Sequence, residues 1–174
     1  MLKKPQRYPY PLIKEMISNA PFEARQIGAL AYATGARVSE LNQITAGDLQ
    51  YKEDFLEITC SVLKKRIKTN ENTQRVALVR LDETWLIDPI KSLTKNKGPN
   101  DILLPYYRMK IYRILINVFG INPHGFRSIR ATHLSTIHKF TAHQLKEFFG
   151  WSSISPSDFY VKLNTSNIRY GKVE

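Results

Sequence analysis

The stretch FLEITCSV, residues 55–62, is the tightest constraint on what this chain can become. Leu56, Ile58, Cys60 and Val62 fall on one side of an extended backbone, and Glu57, Thr59 and Ser61 on the other. A period of two makes a half-buried strand, and a strand needs a neighbour for its backbone N–H and C=O groups. RVALV, 75–79, is the nearest run able to serve. KKRIKTNENT, 64–73, joins the two and is polar, with four basic residues. The pair reads as an antiparallel hairpin with a basic tip.

Elsewhere the apolar spacing is helical. A short helix is expected at 12–18. Pro21 suits the first turn of the next, in which Ile27, Leu30, Ala31 and Thr34 recur on one side. Gly35 breaks it, and a further helix begins near Val38, with Val38, Leu41 and Ile44 on one face. Helices follow at 85–93, 107–119, 126–138 and 141–149, punctuated by Gly120, Pro123 and Gly150. TKNKGPND reads as a loop and ILLP, 102–105, as a short apolar piece; Pro156 opens a last short helix reaching Tyr160. The expected fold class is α+β, mostly helical with one small antiparallel β-sheet. No domain boundary is visible. Residues 1–174 read as a single domain with a leading segment 1–20 and a polar tail 161–174.

A chain of 174 residues buries an adequate core without disulfides or a structural metal. Its one cysteine, Cys60, sits in the inward phase of the strand, reads as a small core residue, and fits a reducing, cytoplasmic compartment. No apolar run approaches the roughly 18 residues of a membrane helix, and the N-terminus lacks the apolar stretch of a secretory signal. No Cys/His spacing suits zinc and no carboxylate cluster suits Mg²⁺, so neither metal nor cofactor is expected. The net charge of +11 points to a polyanionic partner, because each neutralised phosphate releases counterions.

Three segments carry the chemistry. In ATGARVSEL, 33–41, Arg37 lies just past a glycine turn, where a guanidinium can be held for bidentate phosphate binding. In HGFRSIRATHL, 124–134, His124 and Arg127 are three apart and share a helix face. Arg130 and His133 in the same run read as packing or backbone-contact residues. In FGWSSISPSDFY, 149–160, Trp151 offers an indole donor and Tyr160 a phenol. Each segment alone is unremarked. An arginine after a turn is ordinarily solvated, His-x-x-Arg is common, and a tyrosine is ordinarily a half-buried packing residue.

In that order and spacing the three resemble the boxes of the tyrosine recombinase family, the phage-type integrases, over nearly the whole chain. ATGARVSEL is similar to the first-arginine box, HGFRSIRATHL to the His-x-x-Arg box, and GWSSISPSDFY to the tyrosine box. The resemblance implies the family's catalytic-domain fold and places catalytic roles on Arg37, His124, Arg127, Trp151 and Tyr160. It implies a lysine on the hairpin turn; Lys68 is the best match, with Lys64 and Lys65 nearby. Glu40 is expected to buttress the site by hydrogen bonding. Trp151 stands where most members have histidine, and Ser128 where many have a second histidine. The N-terminal core-binding domain usual in the family is expected to be absent, the chain being either a fragment or a minimal member.

By the same resemblance, Tyr160 attacks a phosphodiester of double-stranded DNA and forms a 3′-phosphotyrosine, without metal or ATP. Arg37 and Arg127 hold the non-bridging oxygens, His124 takes the phenol proton or bonds the phosphate, Trp151 donates a neutral hydrogen bond, and the lysine protonates the leaving 5′ oxygen. A monomer is expected without DNA and a tetramer in the recombination complex. A type IB topoisomerase-like enzyme and a non-catalytic DNA-binding relative are the alternatives; a metal-dependent nuclease lacks its ligands.

Overall fold

A computed structural model describes residues 8–63 and 74–161. The elements run α1 (Tyr10–Ser18), α2 (Phe22–Thr34), α3 (Val38–Leu41), β1 (Leu49–Tyr51), β2 (Phe55–Ser61), β3 (Gln74–Arg80), α4 (Thr84–Ser92), α5 (Arg108–Phe119), α6 (Pro123–Thr136) and α7 (Ala142–Phe149). A last helix, α8, covers residues 155–161.

Helix α2 forms the centre. From Ile27 to Thr34 every residue is buried, because the run GALAYAT is small or apolar on all sides. A helix without a polar face must be surrounded. Helices α1, α4, α5 and α6 pack around it. Tyr32 is wholly buried and places its hydroxyl 2.7 Å from His133 Nδ1. The other ring nitrogen of His133 lies 2.8 Å from the carbonyl oxygen of Tyr8, so it carries the proton and donates there.

The sheet has the order β1-β2-β3, antiparallel throughout. Leu56 pairs with Val79, Ile58 with Ala77, and Cys60 with Arg75. The inward phase of β2 is the one its alternation dictates, and Cys60 is core. Burial pushes its thiol up to about 11, consistent with an inert residue.

The structure departs from expectation in three places. The sheet has a third strand, β1, which pairs Leu49 with Ile58. Three residues, LQY, are too few to show a period. The helix opened at Val38 stops at Leu41, so Ile44 lies beyond it, and Leu103 of the ILLP piece donates its N–H to the Ile44 carbonyl. Helix α6 begins at Pro123 rather than 126. Pro123 takes the first turn, where its missing N–H costs nothing, and the Asn122 side chain caps Gly125 N at 2.7 Å.

Candidate active site

Arg37 leaves α2 through Gly35, which is left-handed at φ 56° and donates its N–H to Ala31 O. A Cβ at Gly35 would stand 2.5 Å from the Phe149 ring, so both the conformation and the close approach require glycine. Arg37 then serves as the residue capping α3. Glu40, fully buried, accepts from the Arg37 backbone N–H through Oε2 and from Nη1 through Oε1, both at 2.9 Å. One carboxylate thereby fixes both ends of Arg37, the buttress expected of Glu40. The Arg37 side chain remains 30% exposed and keeps donors for a ligand.

Arg127 lies on the inward face of α6 and is 5% exposed. Its Nη1 donates to Gly35 O at 2.8 Å and its Nη2 to Phe149 O at 3.0 Å. The guanidinium carbon stands 4.8 Å from the Phe149 ring centre and 5.8 Å from that of Trp151. Burial, then the charges of Arg75 and Arg37, push its proton affinity down to about 9, with Glu40 opposing. It stays charged at neutral pH. Two guanidiniums thus act on a third, with the fully buried Glu40 carboxylate opposing them. This electrostatic imbalance suits an anion.

Gly150 ends α7 in the left-handed region at φ 64° and turns the chain into Trp151. The Trp151 ring stacks on Phe149 with centres 4.8 Å apart, and Tyr160 stacks on Trp151 at 6.0 Å with the planes 6° apart. Ser135 Oγ donates to the Tyr160 carbonyl at 3.0 Å. Arg127, Phe149, Trp151 and Tyr160 form one column. Aromatic stacking and the Ser135 bond hold α8 against the site.

Three of the sequence-derived residues, Arg127, Trp151 and Tyr160, therefore share the column, and Arg37 joins them through its charge and through Gly35. His124 is exposed on the first turn of α6, three positions before Arg127. Lys68, like Lys64 and Lys65, lies outside the described residues. Arg130 and His133 are packing residues: Arg130 is 1% exposed, donates to Leu78 O and lies 4.9 Å from the Tyr32 ring. Sequence reading missed Arg75, which is buried beside Arg127. Its signal was an arginine in phase with Ala77 and Val79, but Val76 and Leu78 are apolar too and hid which phase faces inward. No group of three or more potential metal ligands occurs among the described residues. No helix among them is long and apolar enough to cross a membrane.

The geometry sets Tyr160 beside a cluster of guanidiniums, on a fold shared with site-specific recombinases. The crystal structure of XerA recombinase superposes with a TM-score of 0.66 at 16% identity, over 94% of this chain and 61% of that one. XerH site-specific recombinase bound to difH substrate, in a pre-cleavage complex, gives a TM-score of 0.60 at 18% identity, over 89% of this chain and 49% of the other. The model of the phage integrase family matches residues 10–167, and the chain belongs to that family. Tyrosine recombinase XerD of Staphylococcus haemolyticus (strain JCSC1435) is 27% identical over 168 residues, covering 89% of this chain and 55% of the relative. The XerD of Chlamydia trachomatis serovar D is 28% identical over 145 residues, covering 79% and 47%. The chain spans about half the length of these curated relatives.

Proposed function

We propose that this chain is the catalytic domain of a site-specific DNA recombinase that breaks and rejoins strands through Tyr160. The observation carrying this reading is the column that sets Tyr160 on Trp151 and Trp151 beside Arg127, with Arg37 acting on the same charge cluster. The Tyr160 oxygen forms a bond to phosphorus as the bond to the 5′ oxygen breaks. The phenol proton passes to His124 or is shared with the phosphate, and a lysine of 64–73, Lys68 as the best match to the family's hairpin lysine, returns a proton to the 5′ oxygen. Arg37 and Arg127 stabilise charge on the non-bridging oxygens, and Trp151 Nε1 adds a neutral donor. The XerH neighbour, a site-specific recombinase, is bound to its difH substrate, which supports double-stranded DNA as partner here. The chain acts in the cytoplasm, as a monomer without DNA and a tetramer on it. The cationic side chains do the work a divalent ion does elsewhere.

The test is incubation with a nicked suicide duplex in the presence of EDTA. A covalent protein–DNA adduct forms, and Tyr160→Phe abolishes it while DNA binding is retained. Adduct from the Phe variant would move the nucleophile to another tyrosine. Loss in EDTA with rescue by Mg²⁺ would place the chain among nucleases, and supercoil relaxation without strand exchange would make it topoisomerase-like.

A further inference from the structure

Helices α2 and α7 end against each other, each with a left-handed glycine, Gly35 and Gly150. The last carbonyls of a helix lack partners within it and carry the negative end of its dipole. Two such ends brought together repel unless cations stand between them. Two do. Arg75 Nη2 donates to Thr34 O at 2.8 Å and its Nη1 to Phe148 O at 2.6 Å. Arg127 donates to the next carbonyl of each end, Gly35 O and Phe149 O. Each guanidinium spans both helices, a task for which its planar fork is built and a lysine is not.

The spacing gives this cage its consequence. Thr34 precedes Arg37 by three residues, and Phe148 precedes Trp151 by three. Arg75 therefore fixes the points from which both side chains depart. It sits near the start of β3, two residues beyond the segment 64–73. A Cβ on Gly150 would stand 3.2 Å from Arg75 Cδ and 2.9 Å from Val62, so the tight turn before Trp151 is fitted to Arg75 and its strand neighbours. The placement is costly for a core residue: Arg75 is 4% exposed, its Nε lacks a partner among the described residues, and it lies close enough to Arg127 to weaken that residue's hold on its proton. An apolar residue would serve packing alone.

We infer that Arg75 is a positioning residue for the strand-cleavage reaction. By carrying Thr34 O and Phe148 O it sets Arg37 and Trp151 relative to Arg127 and leaves the remaining Arg127 donors for the phosphate. This rests on the reading of Tyr160 chemistry given above.

The experiment compares Arg75→Lys and Arg75→Gln with the parent chain. Single-turnover adduct formation on a nicked duplex is measured at saturating protein, with DNA affinity measured separately. Both variants should keep parental far-UV circular dichroism and a Kd within about threefold, while the saturated rate falls about 10–100-fold, the scale of a small misplacement of catalytic groups. Lys, able to reach one carbonyl, should retain more rate than Gln. In a Trp85→Phe background, Trp151 fluorescence without DNA should become more accessible to acrylamide in both variants. A saturated rate within twofold of the parent, a loss confined to Kd, or unchanged Trp151 quenching overturns the inference. So does a chain that folds with neither replacement, since Arg75 is then structural only. If the parent forms no adduct, the reading of Tyr160 fails, and Trp151 quenching alone decides whether Arg75 positions the turn.

Discussion

His133 shows how much a single buried side chain can set the conditions under which this protein holds together. It is 3% exposed, lies against the Tyr32 hydroxyl and donates to the Tyr8 carbonyl. Burial is the main cause that lowers its pKa to about 4; the Tyr8 bond opposes, and Arg130 and His138 add to the lowering. The native state keeps it neutral as pH falls, whereas the unfolded chain takes up a proton near the ordinary value of about 6.5. The unfolded state then binds more protons, so stability is complete above about pH 6.5 and is lost between there and about pH 4, by up to about 3 kcal/mol. His133→Asn should flatten this acid dependence in urea melts taken from pH 7 to pH 4; an unchanged slope would reject the assignment. The residues of the site divide in the same way between what chain order reveals and what it hides. Arg37, Arg127, Trp151 and Tyr160 sit in contiguous runs beside glycine turns, and those runs can be read. Arg75 cannot, because its partners, Thr34 and Phe148, are 41 and 73 positions away.

Strand β2 and helices α2, α5 and α7 were legible because each is long enough to show its period and is ended by a glycine or a polar break. What escaped was short or depended on a cap. Strand β1 exists only because β2 offers it an edge. The start of α6 turned on whether Pro123 closes a loop or opens a helix, and the Asn122 side chain decides it by accepting from Gly125 N. That cap has a consequence for His124, which sits in the turn it stabilises. Asn122→Ala should cost about 1 kcal/mol of stability, the usual value of such a cap. It should also lower the rate of adduct formation more than it lowers DNA affinity. Denaturant titration and single-turnover cleavage check the two parts; a variant as stable as the parent would show that the cap does not hold the turn.

Taken over its full length, the chain carries 26 Lys and Arg against 15 Asp and Glu. An open groove of about 770 Å³ between β3 and α7 is lined by Gln74, Arg75, His143, Lys146, Glu147 and Trp151 among others, so hydrogen-bonding side chains continue beyond the arginine cluster. A surface of this kind binds DNA chiefly through phosphates. Its affinity should fall with salt by roughly 10³–10⁵ between 50 and 200 mM, if it neutralises about 6–10 phosphates. Fluorescence anisotropy with a labelled duplex measures this, and a flat salt profile would reject phosphate-dominated binding. Light scattering without DNA should report a monomer; a stable tetramer would show that assembly does not need the duplex.

The arginine cage also bears on how the protein fails when heated. Its six participants are Thr34, Gly35, Arg75, Arg127, Phe148 and Phe149, drawn from both ends of the chain and its middle. No short stretch contains enough of them to survive alone. The centre cannot form before α2, β3, α6 and α7 have met. During refolding, anion affinity should return last and in one step, with no partly competent species preceding the native chain.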